Sequence, residues 1–223
     1  MNPLEIRKAT IARSGQTLIA DLNLRVAPGE VLTLMGVSGS GKSTLLNWII
    51  GALDPAFEAR GELWIGGERR DGLPVESRRI GILFQDDLLF PHLSVGRNLA
   101  FALPAKVQGK GARRRLIEDT LADVGLAGFF ERDPATLSGG QRARVSVLRA
   151  LLAEPDALLL DEPFAKLDAV LREQFRSFVF ERIARLAIPA LLVTHDPDDV
   201  PAGGRVIEIS EFSKFSIGEV RDA

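Results

Sequence analysis

Gly36-Val37-Ser38-Gly39-Ser40-Gly41-Lys42-Ser43-Thr44 fits the pattern G-x-x-x-x-G-K-[ST], in which a glycine-rich turn lets backbone N–H groups surround the phosphates of a nucleoside triphosphate. The flanking sequence supplies the context this turn needs. Val31-Leu32-Thr33-Leu34-Met35 is a mostly apolar run that reads as a buried strand, and Lys42 to Ile50 reads as a helix. Strand, loop and helix aim the positive helix end and the inward amides at the same anion. Lys42 brings a full charge to the β- and γ-phosphates, and the Ser43 hydroxyl is placed to ligate Mg²⁺. Taken alone, Gly36, Ser38, Gly39, Ser40, Gly41, Lys42, Ser43 and Thr44 establish only nucleoside triphosphate binding, a property shared by P-loop kinases and GTPases.

Outward from this loop lie further apolar runs that end in polar residues. Ile80 to Phe84 ends at Gln85. Ala157-Leu158-Leu159-Leu160, bounded by Pro155, ends at Asp161-Glu162-Pro163. Ala190-Leu191-Leu192-Val193-Thr194 ends at His195, and Val206 to Ile209 is read as closing the sheet. Fully apolar runs of this length suit central parallel strands covered on both faces, and such sheets place ligands at their C-terminal strand ends. The first thirty residues read as strands and turns, punctuated by Ser14-Gly15 and Ala27-Pro28-Gly29. From about Asp86 to Pro155 the pattern is helical. Lys106, Lys110, Arg113, Arg114 and Arg115 read as a solvated face, and Val145, Leu148 and Leu152 as a buried stripe. Val170 to Leu186 reads as a long helix.

Asp161 and Glu162 sit where a Mg²⁺ ligand and a general base would be needed, although an isolated Asp-Glu pair is as readily a strand-end turn or helix cap. His195, taken singly, reads as a structural hydrogen-bonder. His92 follows Phe90-Pro91, reads as an exposed loop residue and is given no catalytic role. Ser138 is a natural N-cap for a helix starting near Gln141, and Gly139 and Gly140 leave that helix end accessible.

Composition bounds the class. The 223 residues contain 46% hydrophobic and 26% charged residues, which suits one large globular domain. A formal net charge of −2 gives no basic footprint, so no nucleic acid partner is expected. The absence of cysteine excludes disulfides and thiolate metal sites. No run approaches the roughly 18 apolar residues of a membrane-spanning helix, and Met1 to Arg7 lacks the layout of a signal peptide.

Leu137-Ser138-Gly139-Gly140-Gln141, followed by Arg142-Ala143-Arg144-Val145 and placed between the phosphate loop and the Leu-Leu-Leu-Asp-Glu strand, resembles the signature of the ATP-binding cassette (ABC) family. The resemblance covers almost the whole chain. It implies an α/β fold over residues 1–223, with a P-loop NTPase core (1–85 and 156–223), an antiparallel β portion and an inserted helical subdomain at approximately 86–155. It implies Mg-ATP as the bound species, with Ser43, Gln85 and Asp161 around the metal, Glu162 as base and His195 as the switch histidine at the γ-phosphate. Gln85 matches the family glutamine that senses Mg²⁺ and water. Ser138, Gly139, Gly140 and Gln141 would meet the ATP held by a second copy in a head-to-tail dimer. Asp168 matches the aspartate of the loop joining the two sites, although Ala165 stands where the family has a small hydroxyl residue.

The family stacks adenine on an aromatic side chain from an early strand, and here Arg13 stands in that region of a chain without tyrosine. Two readings of Arg13 stand side by side: its guanidinium lies flat on adenine, or it faces solvent. The resemblance further implies transmembrane permease subunits as partners, docked near Leu88, Leu89, Phe90, Leu93 and Val95, and an extracytoplasmic solute-binding protein in the same system. The location would be the cytoplasmic face of the inner membrane. The pattern is similar to importer subunits of the thiamine, iron, polyamine and molybdate type. Gly-Glu-Leu-Trp-Ile at 61–65 is similar to an uncharacterised bacterial branch near the thiamine group. An exporter subunit and a soluble ABC ATPase outside transport remain the alternatives, and a kinase or GTPase has no use for the LSGGQ.

Overall fold

Leu158 and Leu160 pack into one apolar core, while their strand neighbours Ala157 and Leu159 pack into another. The strand is therefore covered on both faces, and its sequence needs no polar alternation. The structure is a computed structural model and describes residues 2–37, 39–84 and 88–212. This central strand, β7 (Ala157–Asp161), follows in chain order β1 (Leu4–Arg13), β2 (Gln16–Val26), β3 (Val31–Met35), β4 (Phe57–Ile65), β5 (Glu68–Arg69) and β6 (Ile80–Leu83), and precedes β8 (Ala190–Val193) and β9 (Val206–Glu208). The helices are α1 (Lys42–Ile50), α2 (Val95–Ala102), α3 (Lys110–Asp123), α4 (Gly139–Leu152) and α5 (Ala169–Leu186).

Two sheets form. The parallel one has the order β6-β7-β8-β3-β9, with Ile80 beside Ala157, Leu158 beside Ala190 and Leu32 beside Leu191. The antiparallel one has the order β2-β1-β4-β5. The first core joins one face of the parallel sheet to the helical subdomain through Leu99, Ile117, Val145 and Leu148; the second joins the other face to α1 and the antiparallel sheet through Leu45, Ile49, Ile11 and Leu63.

Two arginines hold elements in place from inside. Arg78, nearly buried, donates to the carbonyls of Trp48 and Ile49 at 2.8 Å each and to that of Leu73 at 2.9 Å. It thereby adds a partner to carbonyls at the end of α1, and its desolvation lowers the guanidinium pKa, only partly offset by Asp71. Arg113 departs from the solvated face expected of the basic run. It donates to Val107 O at 3.0 Å and Ala100 O at 2.6 Å, and so ties α3 to the end of α2. Lys110, Arg114 and Arg115 are exposed as expected, with Arg114 paired to Glu118 and Glu131.

Candidate functional site

The ends of β3, β7 and β8 open onto a cleft of about 670 Å³, lined by the phosphate loop together with Asp161, Glu162 and His195. Gly41, immediately before α1, has φ +97°, and a Cβ there would stand 3.0 Å from Leu18 Cγ on β2. Glycine is therefore required both by backbone angle and by the close approach of the antiparallel sheet. Lys42 is 8% exposed, its ammonium folded into the loop and donating to Gly36 O at 2.6 Å and Val37 O at 2.8 Å, with Ser40 Oγ at 3.4 Å. It lies inside the cradle that phosphate oxygens would enter.

Across the cleft Ser43 Oγ donates to Asp161 Oδ2 at 3.1 Å. Burial pushes the Asp161 carboxyl above its usual range; the Ser43 hydrogen bond pulls it down, Glu162 pushes it up and Lys42 pulls it down again. A half-buried carboxylate beside a hydroxyl is a hard-oxygen donor pair suited to Mg²⁺. No cluster of three or more His, Cys, Asp or Glu suited to a metal occurs among the described residues.

Glu162 has φ +46°, an unusual value for a residue with a side chain. Its N–H donates to Val193 O at 2.9 Å, and its Oε1 lies 2.9 Å from His195 Nδ1. With an ionised carboxylate, that contact requires the proton on Nδ1. The strained backbone turns the carboxylate into the cleft instead of along the strand.

The signature residues are built separately. Ser138 Oγ accepts from Gln141 N at 3.3 Å and Gln141 Oε1 accepts from Ser138 N at 2.9 Å, a reciprocal capping box at the start of α4. A Cβ on Gly140 would lie 2.9 Å from Leu167 Cδ2 and 3.3 Å from Lys166 O, so the helix start is pressed against the loop that leads to Asp168. Asp168 caps α5, accepting from Leu171 N at 3.0 Å. None of Ser138, Gly139, Gly140, Gln141 or Asp168 lines the phosphate cleft.

Thus Gly36, Gly39, Gly41, Lys42, Ser43, Thr44, Asp161, Glu162 and His195 converge, with Ser40 touching Lys42, and the signature stands apart. Ser38 and Gln85 lie outside the described residues. Arg13 ends β1 opposite Phe57 of β4, its guanidinium 5.3 Å from the Phe57 ring centroid, and it does not line the cleft. Phe57, the first residue of β4, carries no motif that would mark it in the sequence.

The family model described as ABC transporter matches residues 19–165. An uncharacterized ABC transporter ATP-binding protein, YnjD, of Escherichia coli (strain K12) is 52% identical over 209 residues, 94% of this chain and 96% of that protein. The Fe(3+) ions import ATP-binding protein FbpC of Rhizobium etli is 44% identical over 92% of this chain, which spans only 58% of that relative's length. Among solved structures, the dimeric, post-hydrolysis state of an ATP-binding cassette bound to ADP and Pi superposes with a TM-score of 0.77 at 29% identity, covering 88% of this chain and 89% of that one.

Proposed function

This chain belongs to the ABC transporter family of ATP-binding proteins, and from that premise we propose that two copies close head to tail around two Mg-ATP to power a membrane permease that imports a solute. The observation that carries the reading is the separation within one chain: Lys42, Ser43, Asp161, Glu162 and His195 line the cleft, while Ser138 to Gln141 do not. The start of α4, where Gly139 and Gly140 are half-exposed, is a helix end suited to an anion, and the ATP of a second copy would supply one.

The chain is an ATPase, and its residues divide the chemistry. The loop amides and Lys42 hold the phosphates. Ser43, Asp161 and Gln85 would hold Mg²⁺, which when bound neutralises charge on the phosphate oxygens. Glu162 takes the proton as water oxygen attacks the γ-phosphorus, the bond to the bridging oxygen breaks and ADP leaves with its electron pair. His195 holds the Glu162 carboxylate through Nδ1 and stands in the same cleft as the glycine-rich loop that would hold the γ-phosphate. Arg13, already lying over Phe57, forms with it one edge for adenine.

The permease-docking reading rests on a second cleft of about 340 Å³ containing Leu88, Phe90, Phe101 and Arg149. Phe101 is 73% exposed and stacks edge-on against Phe90 at 5.1 Å. Val95 of the same sequence cluster is wholly core. Arg149 lies over Phe90 and donates to Leu88 O at 3.0 Å, and Asn98 fixes the loop through Phe90, Leu93 and Ser94. Relatives named for import of iron and of aliphatic sulfonates support import, with a solute-binding protein outside the membrane. No described helix is long and apolar enough to cross a membrane, so attachment at the cytoplasmic face would run through the permease.

Light scattering of the Glu162→Gln variant with saturating Mg-ATP tests this. The proposal requires the mass of two chains; a mass of one chain at all protein concentrations overturns it.

A further inference from the structure

His195 ends a strand and is itself exposed, so something must hold its ring against Glu162. The loop that follows supplies the grip. Asp199 is 1% exposed, and its carboxylate receives Arg172 Nε at 2.9 Å and Nη2 at 2.6 Å, together with Thr194 Oγ1 at 3.0 Å. The third guanidinium nitrogen, Arg172 Nη1, lies 2.8 Å from Asp196 Oδ2. Asp196 N in turn donates to Thr194 Oγ1 at 3.1 Å, and Asp196 Oδ1 accepts from Asp198 N at 2.9 Å. The residues on either side of His195 are therefore fastened to one planar cation, with Arg176 adding a further contact to Asp198 O.

Arg172 sits in the first turn of α5, and its own N–H donates to Asp168 O at 2.8 Å. The first turn of α5 and the histidine loop are thus joined through a single residue, its backbone on the cap and its guanidinium on the loop. We propose that Arg172 is a positioning residue for hydrolysis, bridging Asp196 and Asp199 so that His195 Nδ1 is presented to Glu162. This rests on the role of His195 given above, but the contact it explains is structural and can be read without turnover. A guanidinium is suited to the task because its rigid fork engages two carboxylates at once, which a lysine ammonium does not reproduce.

The chain has two histidines, His92 and His195, so imidazole nitrogen spectra of the full chain contain one reporter and one internal control. In the wild type, at a pH where imidazole is neutral, His195 should show the Nδ1–H tautomer. In Arg172→Lys, which keeps the charge opposite the buried Asp199, His195 should move towards the Nε2–H tautomer favoured by imidazole in water, with His92 unchanged. kcat should fall about 10- to 100-fold, the usual penalty for misplacing a reacting group, with KM for ATP within about threefold of wild type. The doubly neutral pair Arg172→Gln with Asp199→Asn, which removes the buried Asp199 charge together with that of Arg172, should show the same spectral change. A lower melting temperature with His195 tautomer and kcat both as in wild type would overturn the proposal and leave Arg172 a structural ion pair. Absence of ATPase activity in the wild type would count against the hydrolytic reading alone, since the spectra would still decide whether Arg172 sets the ring.

Discussion

Glu162 Oε1 and His195 Nδ1 lie 2.9 Å apart at the ends of neighbouring parallel strands β7 and β8. The pairing would place the proposed base and the ring that holds it on opposite sides of one hydrogen bond in the cleft lined by the glycine-rich loop. Glu162→Gln keeps the shape and can still meet the imidazole, but its amide cannot take a proton from water. Steady-state phosphate release should therefore fall about 10²- to 10⁴-fold, the range expected for loss of a general base, while ATP affinity measured by fluorescence or calorimetry stays close to wild type.

Asp161 gives a pH-dependent prediction. Burial raises its pKa above the 3.8 of an unperturbed carboxyl. From 3.8 up to the raised value the folded chain holds more protons than the unfolded one, so stability falls as pH rises through that window and stays reduced at neutral pH. Asp161→Asn should melt at a higher temperature than wild type at neutral pH without nucleotide, with the difference vanishing below pH 3.8. The same variant should lose the further rise in melting temperature that Mg-ATP gives the wild type.

Gly140→Ala sets two effects against each other. Alanine inside a helix is better than glycine by about 1 kcal/mol. The added Cβ would stand 2.9 Å from Leu167 Cδ2 and 3.3 Å from a backbone oxygen, and such overpacking costs about 1–3 kcal/mol. Since the backbone cannot give way as a side-chain tip can, the clash should win. Urea unfolding should show a net loss of about 1 kcal/mol, and ATPase activity should fall further because the signature turn is displaced from the loop before Asp168.

Ser138→Ala removes the hydroxyl that accepts from Gln141 N. Loss of an N-cap costs about 1 kcal/mol, small beside a whole domain. ATP hydrolysis should fall by more than this stability loss explains, because the same helix end is assigned to the second copy's nucleotide. A Ser138→Ala protein with full turnover would separate the cap from catalysis.

Phe101→Asp tests the docking cleft without disturbing a core, since Phe101 is 73% exposed. The melting temperature and nucleotide affinity should match wild type, and co-purification with the permease subunits should be lost.

That Gly36, Asp161 and His195 would gather around one cleft was legible in the sequence for a physical reason. Parallel strands buried on both faces leave unmistakable apolar runs, and the residues at or just past their ends (Gly36, Asp161, His195) are where such sheets gather chemistry. The partners of those residues were not legible. Arg172 and Asp199 meet across 27 positions, and no periodicity links a helix start to a loop that far away. Arg113 looked like its exposed neighbours, although one turn of helix carries it onto the carbonyls of Ala100 and Val107. Phe57 faces Arg13 only because β1 and β4 pair through a register shift between Arg7 and Thr10, which no local pattern announces. The apolar cluster 88–95 divided at the Ser94 cap: Val95 turned inward with α2, and Leu88 and Phe90 stayed with the cleft.

The central claim is that one chain holds half of each hydrolytic site. ATPase rate measured against protein concentration, with Mg-ATP saturating, tests it most directly. The rate per chain should rise with concentration at low protein and then level off as dimers fill; a rate per chain independent of concentration, in protein shown by light scattering to remain monomeric, would contradict the shared site.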